Sequence, residues 1–230
     1  MRAVIMAAGL GTRMRPLTET VPKPLLEVAG VPLIETVIRG LRANGVGEIL
    51  VVVGYLKEQF GYLTSKYSDL QLVSNPDYQA ANNISSIYYA ADFFKGTPLF
   101  IAEADLYLHN PAILARTREQ SYYFGKYIEG TSLDWCFEVD SKGRISKIKK
   151  AGESLYNMTG ISYFTANDSE ILAKVIRDSY RQADYRQYYW DEIVDLHLDK
   201  LHLHIEPIAT SDLIEVDTPE ELELLRQQFS

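Results

Sequence analysis

The sequence predicts an α/β fold: a mostly parallel or mixed central sheet with helices on both faces, joined to a smaller β-rich part. Three observations predict it. Residues 1–110 alternate short, continuous apolar runs with amphipathic helical stretches. Residues 111–230 carry several short alternating runs separated by turn signals. Loops at Gly9, Gly54 and Asp105 each follow the end of an apolar run, and in open parallel sheets ligands bind beyond the C-terminal ends of the strands.

The elements follow in order. Ala3 to Met6 reads as a buried strand entering Ala7-Ala8-Gly9. Leu33 to Asn44 places Leu33, Ile34, Val37, Ile38 and Leu41 on one helical face, and Gly45 and Gly47 end it. Glu48 to Val53 is a β-branched strand closed by Gly54. Lys57 to Lys66 reads as a helix, Leu72-Val73 as a short strand, Ser85 to Phe94 as a helix and Pro98 to Ala102 as a buried strand. Beyond it, Tyr122 to Tyr127, Trp135 to Val139, Ile145 to Lys149 and Gly160 to Phe164 read as four strands. Asp140-Ser141-Lys142-Gly143 supplies a hairpin turn among them. Ser169 to Arg181 and Tyr188 to Leu198 are predicted helices, and Leu203 to Pro207 and Leu213 to Val216 strands. Thr218-Pro219 opens a last helix, with Thr218 as N-cap. No repeat, low-complexity tract or linker interrupts the chain, so one domain is expected over 1–230.

A hydrophobic fraction of 47% suffices for a sizeable core. The net charge is -8, from 23 Lys+Arg against 31 Asp+Glu, which argues against nucleic acid and against anionic membrane as partners. A phosphate-rich ligand therefore needs a local positive cluster and a metal ion. The single cysteine, Cys136, allows no disulfide within the chain, which fits a reducing, cytoplasmic setting. The apolar start meets Gly9 too soon for a signal peptide, and no run approaches the ~18 residues of a membrane span.

The chemistry concentrates first in Ala7-Ala8-Gly9-Leu10-Gly11-Thr12-Arg13-Met14-Arg15-Pro16-Leu17, directly after a strand. Glycines let backbone N–H groups approach an anion closely, and Arg13 and Arg15 add charge. Lys23 follows in Val21-Pro22-Lys23-Pro24-Leu25, where flanking prolines stiffen the chain around it. The P-loop pattern G-x-x-x-x-G-K-[ST] is absent, and G-x-G-x-x-G would need glycine in place of Met14. The long segment from Ala7 to Thr18, followed by Pro22-Lys23-Pro24-Leu25, resembles the signature of the sugar-phosphate nucleotidyltransferase superfamily. That resemblance implies a Rossmann-like sheet with Ala7, Ala8, Gly9, Gly11, Thr12 and Arg13 around a nucleoside triphosphate and Lys23 on the reacting phosphates. It makes residues 1–110 the nucleotide-binding half and 111–230 the acceptor-binding half. Gly54, Tyr55 and Asn83 are further candidates on the nucleotide.

Asp105 lies just past one apolar run and Asp217 past another, with Glu215 two residues before Asp217. Residues i and i+2 of a strand share a face, and magnesium takes carboxylate oxygens together with phosphate oxygens and water. Alone, Asp217 before Thr218-Pro219 reads equally well as a helix cap. The superfamily resemblance implies that Asp105 and Asp217, with Glu215, hold Mg2+, and that Arg13, Lys23 and Asp105 are catalytic.

Over nearly its whole length the chain also resembles the bacterial CTP:phosphocholine cytidylyltransferases. The similarity lies in Val53-Gly54-Tyr55-Leu56-Lys57-Glu58-Gln59-Phe60, Asn82-Asn83, Glu103 to Leu108, Trp135, Tyr189-Trp190-Asp191 and Ile214 to Asp217. It implies CTP and phosphocholine as substrates, giving CDP-choline and pyrophosphate. A quaternary ammonium donates no hydrogen bond and is recognised by aromatic faces with a carboxylate nearby. Trp135, Tyr189 and Trp190 are the expected faces and Asp191 the expected charge. Alone, the same residues also read as core packing, with Asp191 as a helix N-cap. Phosphoethanolamine, 2-aminoethylphosphonate and a sugar 1-phosphate stay open as acceptors. A non-catalytic nucleotide sensor should lack some of Arg13, Lys23, Asp105 and Asp217, and all four are present.

Overall fold

Strand β1 (Arg2–Ala7) lies inside a seven-stranded sheet because its run Ala3-Val4-Ile5 buries both faces. The computed structural model describes residues 1–115 and 119–229. After β1 come the small antiparallel pair β2 (Glu27–Val28) and β3 (Val31–Pro32), helix α1 (Leu33–Ala43) and strand β4 (Glu48–Val53). Next are α2 (Gly61–Lys66), β5 (Leu70–Ser74), α3 (Ile84–Phe94), β6 (Leu99–Glu103) and β7 (Leu106–Leu108). The second half holds β8 (Ser121–Val139), β9 (Ile145–Phe164), α4 (Ala166–Tyr180), α5 (Trp190–Asp195), β10 (Leu203–Pro207), β11 (Leu213–Glu215) and α6 (Pro219–Phe229).

The sheet order is β10-β8-β9-β6-β1-β4-β5. β1 pairs in parallel with β4 and β6, and β4 with β5. β9 runs antiparallel to both β6 and β8, and β10 lies parallel to β8. The result is the mixed, mostly parallel α/β sheet that the sequence predicts. Alternation along β1 sends Ala3, Ile5 and Ala7 into a cluster with Ile34, Val37 and Leu63 of α1 and α2. Val4 points to the opposite face, where Ile87, Leu172 and Ile193 of α3, α4 and α5 cover it. No helix among the described residues is long and apolar enough to cross a membrane.

Three features differ from the sequence reading, each for a local reason. The four predicted strands from Tyr122 to Phe164 are parts of two long ones, β8 and β9. Register shifts near Ile128 and Trp135, and positive φ at Gly130 (83°), Ala151 (64°), Ser154 (50°) and Gly160 (79°), interrupt the side-chain alternation while the backbone stays paired. The predicted helix from Lys57 opens as a 3-10 turn, Lys57–Phe60, before α2. The predicted helix from Tyr188 is only Trp190–Asp195.

The pairing of β7 with β11 matters most for function. It sets Leu106 opposite Glu215 and Leu108 opposite Leu213, and the Val216 N–H donates to Asp105 O at 3.2 Å. Two acidic segments distant in sequence therefore end side by side. The expected last helix closes behind them: Glu221 N–H donates to Thr218 Oγ1 at 3.2 Å, and Thr218 N–H to Glu221 Oε2 at 3.0 Å. This reciprocal capping box uses Thr218 and leaves the Asp217 carboxylate free of capping.

Candidate active site

Beyond the C-terminal ends of β1 and β6 an open cavity of ≈ 970 Å³ collects most of the residues singled out from sequence. Its floor is the turn after β1. Gly11 has φ +61°, and a Cβ there would lie 3.1 Å from both Lys23 Cβ and Thr18 Cγ2. Glycine thus allows the left-handed turn and the close approach together. Thr18 Oγ1 donates to Gly11 O at 2.8 Å, and Met14 is fully buried with Leu26, Val28 and Val216, which pins the end of the loop. Lys23 opens a 3-10 turn between Pro22 and Pro24 and is 7% exposed.

Charges of both signs meet here. Lys23 Nζ lies 2.5 Å from Asp105 Oδ2 and 2.8 Å from Asp217 Oδ1. Arg13 Nη2 lies 2.8 Å from the same Asp217 oxygen. Burial works to lower the Lys23 pKa, but the charges and hydrogen bonds of Asp105 and Asp217 outweigh it and raise it. Asp105, Glu215 and Asp217 each present a carboxylate oxygen, all within 4.8 Å of one another. Asp105 Oδ1 is buried without a hydrogen-bond partner. Glu215 opens to the solvent of the cavity, yet the cavity walls desolvate it, and with the charges of Asp105 and Asp217 they push its pKa up to about 7. Burial, then the charges of Asp105, Glu215 and Asp191, raise Glu103 well above its ordinary value. Hard oxygen donors, an unpartnered buried oxygen and uncompensated negative charge fit a divalent cation of the magnesium type. Asp105, Glu215 and Asp217 are the residues that could hold it.

The other end of the cavity is aromatic. The rings of Trp135 and Tyr189 meet edge to face with centroids 5.5 Å apart. Lys150 Nζ lies 4.9 Å from the Trp135 centroid and 4.5 Å from that of Tyr189. Asp191 also lines the cavity, although it is only 2% exposed. Tyr123 Oη donates to its Oδ1 at 2.9 Å, and burial pushes its pKa up to about 7.

Ala7, Ala8, Gly9, Gly11, Thr12, Arg13, Lys23, Asn83, Asp105, Trp135, Tyr189, Asp191, Glu215 and Asp217 all line this one cavity. Three expected residues do not. Trp190 is 3% exposed and packs against Tyr123 and Phe164, with centroids 5.9 and 6.1 Å away. Tyr189 precedes α5 as an extended N-cap, while Trp190 and Asp191 open its first turn about 100° apart, so Trp190 turns into the core and Asp191 toward the cavity. Gly54 lies behind the loop, where an added Cβ would come 2.8 Å from Ala8 O and from Tyr78 Cγ. The Tyr55 N–H donates to Ala8 O at 3.2 Å and its hydroxyl to Thr18 O at 2.9 Å. Gly54 and Tyr55 therefore support the loop from outside the cavity. Asp191 is not the helix cap either, since the Tyr189 N–H bonds to Glu192 Oε2 at 2.7 Å ahead of it.

Sequence reasoning did not select Glu103, Lys126 or Lys150 for the cavity lining. Glu103 alternates with Asp105 as i and i+2, a signal that was available. Lys126 donates to Leu213 O, and burial lowers its pKa. It is the lone lysine of the long irregular β8, and Lys150 follows Lys147 and Lys149 on β9, so no spacing singles either out.

Residues 3–127 match the family described as MobA-like NTP transferase domain. The chain is 47% identical to the 2-aminoethylphosphonate cytidylyltransferase of Lancefieldella rimae, over 96% of this chain and 89% of that protein. It is 33% identical to the choline-phosphate cytidylyltransferase of Streptococcus pneumoniae, over 99% of this chain and 97% of the relative. Among solved structures, the CTP:phosphocholine cytidylyltransferase from Streptococcus pneumoniae superposes with a TM-score of 0.90 at 32% identity, covering 100% of this chain and 99% of that one.

Proposed function

Because this chain belongs to the MobA-like NTP transferase family and is a cytidylyltransferase, we propose that it transfers CMP from CTP to a small ammonium-bearing phosphonate or phosphate, with 2-aminoethylphosphonate as the leading acceptor. One observation carries this reading. A single cavity holds Arg13, Lys23 and an acidic trio at one end and an aromatic pair around an ammonium at the other.

In the reaction, an oxygen of the acceptor's anion attacks the α-phosphorus of CTP, and the bond to the bridging oxygen breaks to release pyrophosphate. The acceptor is already anionic, so no protein nucleophile and no general base are required. Catalysis rests on orientation and charge stabilisation. The N–H groups of the turn after β1 hold the triphosphate, Arg13 faces the leaving pyrophosphate, and Lys23 offsets charge at the α-phosphate. Asp105, Glu215 and Asp217 would hold a magnesium ion, whose chemistry when bound would be to neutralise phosphate charge. The base lies against Ala8 and Asn83, and Asn83 Oδ1 also accepts the Trp190 N–H at 2.9 Å, tying this end to α5.

Two points put 2-aminoethylphosphonate ahead of phosphocholine. Identity to the relative of that name is 47%, against 33% for the choline-phosphate enzyme. Asp191 and Glu103 also line the cavity, and a primary ammonium donates hydrogen bonds to carboxylates where a trimethylammonium cannot. Phosphocholine is the second reading, favoured by the Trp135–Tyr189 pair. The test is pyrophosphate release from each of four nucleoside triphosphates with 2-aminoethylphosphonate, phosphoethanolamine, phosphocholine and glucose 1-phosphate. CTP with 2-aminoethylphosphonate should give the highest kcat/KM. A preference for phosphocholine selects the second reading, and a preference for glucose 1-phosphate rejects both.

A further inference from the structure

Lys150 is held unlike its neighbours. Lys147 pairs with Asp195 at 2.5 Å and Lys149 pairs with Glu138. Lys150 pairs with no carboxylate among the described residues, and its contacts are the faces of Trp135 and Tyr189, 4.9 and 4.5 Å from its Nζ. It is an exposed residue, and an exposed lysine ordinarily extends its strongly hydrated ammonium into water. The backbone explains why it does not. Lys150 stands directly opposite Trp135 in the β8–β9 ladder, so the two side chains rise from one face of the ribbon. The left-handed turn at Ala151 (φ 64°) follows at once, and Tyr189, at the start of α5, forms the second wall. The ammonium is therefore placed by its cross-strand position against both electron-rich rings, which themselves meet edge to face.

We propose that Lys150 is an internal ligand of the acceptor site: its ammonium fills the Trp135–Tyr189 cleft until the acceptor's ammonium displaces it. This rests on the reading of that cleft as the acceptor's cation site. The consequence is specificity. A simple amine must compete with a cation that is tethered beside the cleft and present at high effective concentration. An acceptor whose anion is held at the Arg13–Lys23 end of the same cavity is itself tethered, and so competes on equal terms. Lys150 thus makes the enzyme respond to molecules that carry both an ammonium and an anion, and ignore free amines.

The test uses ethylammonium chloride at constant ionic strength, with intrinsic fluorescence as the readout. The chain has 2 tryptophans, and Trp190 lies in the core, so a Trp135→Phe control assigns the signal. Wild type, Lys150→Ala and Lys150→Arg are titrated without nucleotide. If the internal ammonium holds the cleft for about nine-tenths of the time, Lys150→Ala should bind ethylammonium about tenfold more tightly than wild type. Lys150→Arg, which restores a cation able to stack on the rings, should return to weak binding. Equal or weaker binding by Lys150→Ala, or no binding by any of the three, overturns the proposal. Failure of the acceptor assignment would register separately, in the substrate matrix, because the titration involves neither CTP nor turnover.

Discussion

Asp191 offers a pH test of the acceptor site. Its carboxyl is 2% exposed and its pKa is raised from 3.8 to about 7, chiefly by burial, despite the hydrogen bond from Tyr123. A carboxyl that ionises at 3.8 when unfolded and near 7 when folded destabilises the folded chain by on the order of 4 kcal/mol once it is charged. The sign follows from proton binding. Below about pH 4 both states are protonated and nothing is lost. Between about pH 4 and 7 the unfolded chain gives up the proton first and stability falls, and above about pH 7 the loss is complete. Asp191→Asn removes this penalty, so the variant should melt progressively higher than wild type as pH rises from 5 to 8, with the gap closing at low pH. Acceptor binding runs the other way, because an ammonium prefers the ionised carboxyl. At pH 6 only about a tenth of Asp191 is charged, so through this group the acceptor KM should be roughly tenfold higher than at pH 8. Asp191→Asn should abolish that dependence and raise the acceptor KM at pH 8 by about 10- to 100-fold, the range for a lost charge-assisted hydrogen bond. The acceptor's own ionisation is common to both proteins and cancels in their ratio. Identical pH profiles of acceptor KM in the two proteins, with a melting gap that stays constant from pH 5 to 8, would refute the reasoning.

Three further perturbations act elsewhere in the cavity. Lys23→Ala removes the cation that bridges Asp105 and Asp217; kcat in the pyrophosphate assay should fall by about 10²- to 10³-fold with the circular dichroism spectrum unchanged, and near-normal turnover would remove Lys23 from the chemistry. Chelation by EDTA should stop turnover and added magnesium restore it, while Asp105→Asn should shift the magnesium titration to higher concentration; an unshifted titration would take Asp105 out of the metal site. Gly54→Ala forces a Cβ to 2.8 Å from the backbone oxygen of Ala8, which should lower stability by about 1–3 kcal/mol in urea unfolding and raise the CTP KM more than the acceptor KM. A variant with wild-type stability would show that the loop yields freely there.

Much of this architecture is legible in the sequence where one physical signal dominates. The runs of β1 and β4 are apolar on both faces because helices cover both, and such runs mark themselves without alignment. The turn after β1 is legible because glycine, arginine and a proline-flanked lysine have few other reasons to occur together. Legibility fails where pairing outlasts periodicity. β8 and β9 stay hydrogen-bonded through bulges and left-handed residues, so their alternation breaks while the strands do not. It fails again at β7, which is 3 residues long and carries no periodic signal. β11 is legible as the run Leu213 to Val216, but neither run announces that the two pair and set Asp105 beside Asp217. Trp190 illustrates a third limit: the motif that contains it lines the cavity at its flanks, Tyr189 and Asp191, while the start of α5 turns the central residue into the core.

The charge arrangement links the two ends of the cavity. The chain carries a net charge of -8, yet it must admit a triphosphate and a second anion. It does so by concentrating cations locally and giving each a temporary partner. Lys23 rests on Asp105 and Asp217, which could hold a divalent ion, and Lys150 rests on the two rings that could hold an ammonium. In both places a lysine lies where a ligand's positive charge belongs. Lys23 and Arg13 offset part of the charge of the clustered carboxylates, and Lys150 covers the half-buried ring pair. On the proposed reading, a metal ion and the acceptor's ammonium would take over those partners and free both lysines toward phosphate oxygens. Ligand binding would then be an exchange of ion pairs rather than a net gain of charge, the means by which an acidic protein would bind two anions.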